Sequence, residues 1–419
     1  MTEHELYRAA LRYHAQQRPG KIEIRPTKPC STREELSLAY SPGVAAPALA
    51  IAENPDDSYL YTARSNLVAV VSNGSAVLGL GDIGPLAAKP VMEGKCMLFK
   101  KMADIDAFDI EVDAAEPDRF VECVKLIART FGGINLEDIK APECFEIERR
   151  LQQELDIPVM HDDQHGTAII TCAALINLCR LTGKELSRLR IVVSGAGAAA
   201  IASARLFLKL GADRRNIVLC DSRGVVTRSR GDLTPEKAEF ATDEPLSGME
   251  LALIDADVFL GVSKPGLLTP DMIRTMAQRP LVMALANPDP EITLREALSA
   301  RSDVIYASGR SDTPNQVNNL LGFPYIFRGA LDVRASRIND AMKLAAAHAL
   351  AELARRPVPA EVRHISNDEN LRFGPEYLIP SPFDPRLREH IPAAVARAAV
   401  ESGVARTGDT RQPAGKAGK

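Results

Sequence analysis

The chain has 419 residues, with 51 basic and 55 acidic side chains and a formal net charge of −4. This length predicts two or three domains with ample core, and the near balance of charge gives no electrostatic reason to expect nucleic acid or an anionic membrane as a partner. We therefore expect a small-molecule substrate held in a pocket. The seven cysteines form no Cys-x-x-Cys pair, which argues against a disulfide framework and structural zinc.

The first 35 residues begin as a helix and are then interrupted by prolines. This pattern is typical of an arm that docks on another surface, and it favours a homodimer. The amino terminus lacks a basic and then apolar signal segment, and no run approaches the length needed to span a bilayer, so we expect a cytoplasmic protein.

Tyr40 comes directly before Ser41-Pro42-Gly43. This sequence predicts a tight turn that fixes the direction of the phenol. Two interpretations stay open from the residues alone. The phenol faces a ligand, or it is a buried tyrosine that donates to a backbone carbonyl.

Residues 68–80 predict a β-hairpin, two short apolar strands around Asn73-Gly74. The hairpin runs into Gly79, Gly81 and Gly84 in the pattern Gly-x-Gly-x-x-Gly. A dinucleotide site should follow a parallel strand and open a helix, so this match is weak. We interpret the segment as a loop whose backbone approaches a ligand, including the cofactor.

Lys95 lies among apolar residues, and residues 108–112 predict a strand behind it. Burial would lower the pKa of its amine, nearby carboxylates would raise that pKa, and a metal ion would lower it. The sequence leaves the direction open. An ordinary surface lysine with an apolar stem is the alternative.

Three carboxylates carry the strongest chemical signal of the first half. Glu137 and Asp138 precede a predicted amphipathic helix over residues 143–155, and Asp163 follows a short apolar strand over residues 157–160. Ligands usually bind at the carboxyl end of such strands, and oxygen ligands suit Mg²⁺ or Mn²⁺. We expect one metal site, with Asp162 as a neighbour that does not bind the ion. Paired acids on a solvated loop are the alternative.

The second half opens with an apolar helix over residues 166–183 that we expect to bridge two domains. A strand from residue 189 then leads into Gly195-Ala196-Gly197-Ala198 and a helix of small residues. Here the glycine fingerprint has its required context, a strand before it and a helix after it. The sequence therefore predicts a dinucleotide site at this turn.

Asp221 ends the second strand of this half, at the distance expected for a group that binds the adenosine ribose. An aspartate there favours NAD. Four nearby side chains could instead contact the 2′-phosphate of NADP, namely Ser222, Arg223, Arg228 and Lys237. A cationic surface loop is a further alternative.

Residues 256–261, 281–286 and 304–307 predict three more strands, which completes a doubly wound parallel sheet. Asn287 directly follows its predicted strand, and Asn319 lies in Gln316-Val-Asn-Asn-Leu320 before a glycine and a proline. An amide in such a place either binds a ligand or makes a turn. The fold class is therefore α/β. We expect a substrate and metal domain over residues 1–160, a Rossmann-type domain over 161–395, and the end of a helix with a disordered tail over 396–419.

Together these segments resemble the malic enzymes, specifically the short bacterial type. The resemblance spans residues 20–405, and the motifs that carry it are Ala39-Tyr-Ser-Pro-Gly-Val-Ala45, Leu80-Gly-Asp-Ile-Gly84, Glu93-Gly-Lys95, Leu136-Glu-Asp-Ile-Lys-Ala-Pro142, His161-Asp-Asp-Gln-His-Gly-Thr-Ala168, Ser194-Gly-Ala-Gly197, Asp221-Ser-Arg-Gly224, Ala286-Asn-Pro288 and Val317-Asn-Asn319. We also expect the chain to lack the phosphotransacetylase-like extension of some bacterial members.

The resemblance implies oxidative decarboxylation of (S)-malate to pyruvate and CO₂, with oxaloacetate decarboxylation as a partial activity. It implies Tyr40 and Lys95 as catalytic acid and base, the three carboxylates as ligands of the metal, and Asn287 and Asn319 as contacts of substrate or nicotinamide. Asp-Ser-Arg-Gly is similar to the Asp-Ser-Lys-Gly of NADP-using members, which favours NADP over NAD.

Two departures from the family pattern concern the substrate. Ser75 and Ala76 stand where larger relatives have an arginine for a substrate carboxylate, and Met160 replaces a phenylalanine. Two rival functions remain at this point, a metal-dependent oxaloacetate decarboxylase and a non-catalytic module that senses a dinucleotide.

Overall fold

The computed structural model describes residues 3–16, 18–77 and 80–407. The described residues form two sheets with accompanying helices, and one long helix stands between the two sheets in chain order. This architecture confirms the predicted α/β class. The tail predicted to be disordered after residue 405 falls almost entirely outside the described residues.

The first sheet has the strand order β2-β1-β3-β4, and its paired strands are all parallel. Its strands are β1 Leu67–Ser72, β2 Asp106–Glu111, β3 Gly133–Leu136 and β4 Val159–His161. The helices of this half are α1 Glu3–Ala15, α2 Arg33–Ala39, α3 Ala45–Glu53, α4 Ser58–Tyr61, α5 Pro85–Ala103, α6 Pro117–Ile127 and α7 Glu143–Glu154.

β1 is buried along its whole length because helices cover both faces of the sheet. Val68 and Val70 pack in the core that contains α5, whereas Ala69 and Val71 pack in the core that contains α6 and α7. The predicted helix over residues 143–155 is confirmed as α7, with Ile147 and others buried on one face.

The predicted hairpin over residues 68–80 is wrong. β1 ends at Ser72 and pairs in parallel with β2 and β3, so Asn73-Gly74 begins a loop instead of a hairpin turn. A β-carbon on Gly74 would lie 2.2 Å from the carbonyl oxygen of Gly84. The glycine is therefore needed for a close approach between the two ends of the loop, and local turn chemistry alone could not reveal that partner.

The bridging helix is α8, Asp162–Thr182, which begins four residues before the predicted start and ends at Gly183 with a left-handed φ of 77°. Contrary to the sequence expectation, this helix is long and apolar enough to cross a bilayer by length and composition. Most of it lies inside the protein, with 61% of its apolar window buried, as in a core helix.

The second sheet has the order β10-β9-β8-β5-β6-β7, parallel except for the β6–β7 pair. Its strands are β5 Ile191–Ser194, β6 Ile217–Asp221, β7 Gly224–Val225, β8 Val258–Gly261, β9 Leu281–Ala284 and β10 Ile305–Ser308. The helices of this half are α9 Ala198–Leu210, α10 Pro235–Ala238, α11 Met249–Ala252, α12 Pro270–Thr275 and α13 Leu294–Ala300. The predicted doubly wound sheet is confirmed.

The last helices return to the first half of the chain. They are α14 Phe323–Asp332, α15 Asp340–Arg355, α16 Ala360–Ile365 and α17 Leu387–Glu401. Phe323 and Phe327 of α14 pack edge to face on Phe99 of α5, with ring centroids 4.8 and 5.4 Å away. α14 therefore forms a wall of the first half, and α17 runs across the predicted boundary at residue 395. The domain limits stay a prediction.

Candidate active site

Four acidic side chains gather at the carboxyl ends of β3 and β4. Glu137 and Asp138 follow β3 directly, and Asp162 and Asp163 form the first turn of α8 directly after β4. We call these four side chains the carboxylate cluster. β3 and β4 are paired neighbours in the sheet, so their ends bring residues some 25 positions apart in sequence to one place.

The three predicted metal ligands lie close enough to share one ion. Glu137, Asp138 and Asp163 each offer one oxygen within 4.8 Å of the other two. The backbone N–H of Asp138 donates to Asp163 Oδ2 at 2.8 Å, and Asn135 Nδ2 donates to Glu137 Oε2 at 2.9 Å. Asp138 Oδ2 is buried and has no hydrogen-bond partner. Such an oxygen is suited to receive a cation.

Burial and mutual repulsion shape the protonation of the carboxylate cluster. Burial raises the pKa of Asp138 to about 9, with further increases from the charges of Asp163 and Glu137. Burial raises the pKa of Asp162 to about 7, while the ammonium of Lys95 lowers it. The raised pKa values mean that these acids retain protons at neutral pH, and a divalent cation would take the place of those protons and compensate the ionised carboxylates.

Lys95 is the amine inside this cluster. It projects from α5 and is only 7% exposed. Its Nζ lies 2.6 Å from Asp162 Oδ2, 2.8 Å from Glu137 Oε1 and 4.3 Å from the ring centroid of Phe323. Burial alone lowers the pKa of Lys95, but the neighbouring carboxylates outweigh burial and raise that pKa well above its usual range. The sequence left the direction of the Lys95 pKa shift open, and this arrangement of carboxylates raises the pKa.

Asp162 connects Lys95 to Asn319. Its Oδ2 accepts from Lys95 Nζ and from Asn319 Nδ2, both at 2.6 Å. A β-carbon on Gly166 would lie 2.2 Å from Asp162 Oδ1 and 2.6 Å from Asn319 Cβ. Gly166 is therefore required for this close approach. The predicted neighbour role of Asp162 thus takes a definite form, since its carboxylate holds the lysine and the amide.

Sequence reasoning missed a second layer behind the cluster. Glu148 of α7 accepts from the backbone N–H of His161 at 2.8 Å and lies 3.0 Å from His165 Nε2. His161 Nδ1 accepts from the N–H of Gln164, which leaves the Nε2 proton directed towards Asp163 Oδ2 at 3.7 Å. Burial lowers the pKa of His161 to about 4, so its imidazole is neutral. The His-x₃-His spacing on α8 was the available signal.

The glycine loop after β1 lies beside the carboxylate cluster. The N–H of Ala76 donates to the carbonyl of Asp138 at 3.0 Å, and the hydroxyl of Ser75 accepts from the N–H of Lys140 at 3.0 Å. Ser75 and Ala76, which stand where larger relatives have an arginine, thus hydrogen-bond to the segment that carries Glu137 and Asp138. Gly81 and Gly84 have positive φ and open space where a β-carbon would stand, and Gly79 lies outside the described residues.

The predicted dinucleotide turn joins β5 to α9. Gly195 has a φ of 128°, and a β-carbon there would lie 3.0 Å from the carbonyl oxygen of Val262, so a larger residue would be strained. Nothing lies within 4 Å of the β-carbon position at Gly197. α9 begins at Ala198 with Gly197 as its amino-terminal cap, and its free N–H groups face the space that a pyrophosphate needs.

Asp221, at the end of β6, is hydrogen-bonded to two cationic side chains. Arg230 donates to both of its oxygens at 2.8 and 2.9 Å, and Lys237 Nζ donates at 2.8 Å. Burial alone would raise the pKa of Asp221, but these hydrogen bonds lower it far below its usual range. Sequence reasoning included Lys237 and missed Arg230. We call these three residues the Asp221 clamp.

Other predicted phosphate contacts have partners of their own. Arg223 pairs with Asp232 at 3.0 Å, and Arg228 pairs with Asp243 at 3.0 Å. Ser222 is exposed next to them. Among the charged residues at the end of β6, those of the Asp221 clamp are therefore joined by the largest number of short hydrogen bonds.

Two predicted residues are not gathered with the cluster. Asn287 is exposed in the loop after β9, where its amide lies 3.5 Å from a β-carbon position at Gly309. Tyr40 is 71% exposed at the carboxyl cap of α2. The phenol is neither buried nor beside Lys95 in the single chain.

Family comparisons agree with this geometry. The family model "Malic enzyme, N-terminal domain" matches residues 19–152, and the model "Malic enzyme, NAD binding domain" matches residues 164–363. The first match contains Lys95, Glu137 and Asp138. The second contains the Gly195 turn and the Asp221 clamp, and Asp163 lies directly before its first residue.

Similar proteins carry matching names. An NADP-dependent malic enzyme of Rhizobium meliloti is 58% identical over 95% of this chain and 52% of its own length. One from Halomonas elongata is 56% identical over 95% of this chain and 94% of its own length. An NAD-dependent malic enzyme of Rhizobium meliloti is 57% identical over 94% of this chain and 52% of its own length. The chain thus spans about half the length of several relatives.

A solved structure gives the same result for the fold. The malic enzyme from Pyrococcus horikoshii superposes with a TM-score of 0.88 at 44% identity, covering 96% of this chain and 92% of that one. The sequence matches and the superposition both extend across the two sheets and the helix between them. The chain belongs to the malic enzyme family.

Proposed function

We propose that the protein converts (S)-malate to pyruvate and CO₂ by oxidative decarboxylation, with NADP as hydride acceptor and Mg²⁺ or Mn²⁺ at the carboxylate cluster. The observation that carries this proposal is the buried amine of Lys95, held between Glu137 and Asp162. A base next to a hard-metal site matches a substrate that has both a hydroxyl and carboxylates. The names of the relatives support the same reaction.

The residues fit a divalent cation. Glu137, Asp138 and Asp163 would hold it, since their oxygens converge and Asp138 Oδ2 lacks any other partner. When bound, the ion would offset the carboxylate charge that now raises the pKa of Lys95, and it would polarise the C2 carbonyl and stabilise the enolate formed by loss of CO₂. The neutral imidazole of His161 lies beside Asp163, with its Nε2 3.7 Å from Asp163 Oδ2, and adds no further charge to the site.

The side chains of this chain account for the proton transfers. Lys95 would take the proton of the C2 hydroxyl, and a bound nicotinamide would supply the hydride acceptor for C2. Asp162 holds the amine in place and keeps Asn319 within reach of the substrate. After CO₂ departs, an acid must protonate C3, and Tyr40 is the candidate that the family resemblance supplies. The reaction is balanced when the proton from the C2 hydroxyl of malate ends on C3 of pyruvate. No net proton is released.

The Asp221 clamp supports NADP over NAD. A free aspartate at a strand end repels a 2′-phosphate and accepts from a ribose hydroxyl. Both oxygens of Asp221 are instead engaged by Arg230 and Lys237, and Arg230 also pairs with Asp232, so Asp221 is neutralised and not free to accept from a ribose hydroxyl. Because relatives of equal similarity are named for each cofactor, this geometry is the stronger ground. The Gly195 turn and α9 would receive the pyrophosphate.

We also infer a homodimer in the cytoplasm. Most of the exposed large apolar side chains lie in the first 86 residues, including Leu11, Ile24, Leu38 and Leu86. Apolar patches of this extent are unusual on a monomer and mark a surface that another protein covers. Light scattering at several protein concentrations measures the mass directly, and a single-chain mass throughout contradicts the dimer.

The experiment that tests the function is an assay of the purified protein with malate, Mn²⁺ and either NADP or NAD. We expect the absorbance of reduced nicotinamide to rise, faster with NADP at equal cofactor concentration, and pyruvate to form in equal amount. Consumption of oxaloacetate without nicotinamide reduction would identify a decarboxylase instead. Binding of nucleotide with no turnover of either acid would identify a sensing module.

A further inference from the structure

A buried carboxylate joins two loops at one edge of the second sheet. Glu291 is fully buried and lies at the end of the loop that follows β9 and contains Asn287. Its Oε1 accepts from the backbone N–H of Ser263 at 3.1 Å, and its Oε2 accepts from the backbone N–H of Ala286 at 3.0 Å. Ser263 belongs to the loop after β8, and Ala286 to the loop after β9. We call these two hydrogen bonds the Glu291 bridge.

The end of β8 is shaped to receive this carboxylate. Gly261 is the last residue of β8, and a β-carbon there would lie 2.3 Å from Cδ and 2.5 Å from Oε1 of Glu291. The backbone joins the same two loops again, since the N–H of Gly266 donates to the carbonyl of Pro290 at 3.2 Å and the N–H of Leu268 donates to the carbonyl of Glu291 at 3.1 Å. The Glu291 bridge is therefore part of a built junction between the loops.

The bridged loops lie on the side of the sheet where a nicotinamide is expected. The strand order reverses at β5, with β6 on one side and β8 and β9 on the other. In sheets of this kind a dinucleotide lies across the carboxyl ends of the strands at that reversal. Asp221 at the end of β6 marks the adenosine side. The loops after β8 and β9 therefore fall on the nicotinamide side.

The turn expected to bind the pyrophosphate is anchored without the Glu291 bridge. The N–H of Val262 donates to the carbonyl of Ser194 at 2.9 Å, and the N–H of Gly195 donates to the carbonyl of Cys220 at 2.8 Å. Both bonds join β5 to its neighbours, and neither involves the loop after β9. Loss of the bridge should therefore loosen the two loops on the nicotinamide side and leave the Gly195 turn in place.

Asn287 depends on the bridge for its position. Residues 287–289 are exposed, and the loop is anchored by buried Ala286 before them and by buried Pro290 and Glu291 after them. The carboxylate of Glu291 binds the first of these anchors and belongs to the second. The backbone on both sides of Asn287 is thus fixed by one side chain.

We propose that Glu291 is a positioning residue whose bridge holds the Asn287 amide and the loop after β8 around the nicotinamide and the substrate. This inference rests on the proposed function, because the Asn287 amide has a ligand to hold only if that reaction takes place. Glu291 itself touches neither ligand and moves no proton. A displacement of about 1 Å at a reacting centre can cost about a hundredfold in rate, so the bridge is able to control turnover.

Glu291→Gln tests the bridge while it keeps the size of the side chain. Its amide has one acceptor oxygen and an NH₂ group that donates, so either Ser263 or Ala286 loses its acceptor. We expect turnover with malate to fall by about tenfold or more. The Kd for NADPH should stay within about threefold, because the Gly195 turn is anchored separately. Steady-state kinetics and a fluorescence titration measure the two quantities.

Hydrogen exchange followed by mass spectrometry reports on the bridge without any assay of activity. We expect Glu291→Gln to speed exchange in residues 263–268 and 285–289, which the bridge joins, and to leave exchange at the Gly195 turn unchanged. Faster exchange across the whole second sheet would show a general loss of stability and would overturn the positioning role.

Glu296→Gln is the matched control. The carboxylate of Glu296 also accepts from a backbone N–H, that of Thr293 at 3.0 Å. This contact caps α13 and joins no second loop. Removal of the same charge from this place should leave turnover and the exchange of both bridged loops within about twofold of wild type.

A double-mutant cycle tests whether Glu291 acts through Asn287. We expect Asn287→Ala to lower turnover, and the addition of Glu291→Gln to lower it by less than about twofold further, because the amide that the bridge positions is already gone. If Glu291→Gln does not fold, as judged by circular dichroism, Glu291→Asp takes its place in the cycle, since it keeps the charge and shortens the reach.

The outcomes separate this role from the proposed reaction. If the wild-type protein oxidises malate and the two changes multiply fully, the role of Glu291 is overturned and the reaction stands. Unchanged turnover of Glu291→Gln, or an equal loss of turnover and of NADPH affinity, also overturns it. If the wild-type protein oxidises malate with neither cofactor, the reaction and the positioning role fall together.

Discussion

The two strand-end sites of this protein differ in charge balance. The carboxylate cluster places four acids around the one amine of Lys95, whereas the Asp221 clamp places two cations on one acid. The first site keeps more acids than cations in a buried place, whereas the charges of the second are paired, because Arg230 also binds Asp232. Both follow a parallel strand, so backbone topology alone does not explain the difference.

The difference teaches which ligand charge each site is built to receive. Buried acids that repel one another are stabilised by a cation, and a neutralised aspartate with spare donors is suited to a phosphate. The proposed reaction needs both, because malate is held and activated at the first site and the cofactor at the second. α8 and the Gly166 contact with Asn319 join the two halves of the chain between these sites.

The largest expected effect comes from removing the amine of Lys95 beside the carboxylate cluster. We expect Lys95→Ala to lower turnover with malate by about a hundredfold or more, the usual scale for a general base. The clamp lies in the other half of the chain, so NADP binding should change little. Steady-state kinetics and a fluorescence titration of NADPH measure the two quantities. Equal losses in both would show that Lys95 supports the whole fold and that the two sites are not independent.

Sequence reasoning located the strand-end residues because their signals are local. Glu137, Asp138 and Asp163 each follow a short apolar strand, and Gly195 stands between a strand and a helix, so order along the chain predicted their edge of the sheet. The predicted hairpin failed because Asn73-Gly74 has a strong turn preference, while the partners of β1 are distant strands. Pairing between distant strands overrode the local preference.

Partners distant in sequence were beyond prediction for the same reason. Arg230 is nine residues from Asp221 in an irregular segment, and no periodicity indicates that the two side chains meet. Glu148 lies in the predicted amphipathic helix, where nothing in the sequence indicates that its side chain is buried behind His161. The direction of the Lys95 pKa also depends on which carboxylates surround the amine, and only coordinates give those distances.

An intermediate effect is expected when one negative charge is removed from the carboxylate cluster. Glu137→Gln keeps the shape and the Asn135 contact but removes a negative charge, and we expect the Kd for Mn²⁺ to rise by about tenfold or more, since each charged ligand contact is worth about 1.5–3 kcal/mol. The Kd for NADP should stay within about twofold. Calorimetric titration of both ligands measures the contrast. The conservative Glu137→Asp should bind Mn²⁺ more tightly than Glu137→Gln, and the reverse order would contradict a charge-based role.

The smallest expected effect comes from the Asp221 clamp, and it appears in stability. The folded pKa of Asp221 lies below its unfolded value of about 3.9, so the native state favours the ionised form. The resulting stabilisation is fully present above about pH 5 and is lost as the pH falls through the unfolded and then the folded pKa. Asp221→Asn removes it, and we expect the free energy of unfolding to fall by roughly 1–3 kcal/mol at pH 7, the range for hydrogen bonds to a charged group.

Urea unfolding at a series of pH values measures this loss. The gap between wild type and Asp221→Asn should be constant from pH 7 to about pH 5 and should narrow below about pH 4. The exposed pair Arg228 and Asp243 supplies a control, since Asp243→Asn should change stability by less than about 1 kcal/mol. A gap that widens on acidification would mean that the clamp does not hold Asp221 ionised. Asp221 would then not be neutralised by Arg230 and Lys237, and the proposed contrast with the carboxylate cluster would be lost.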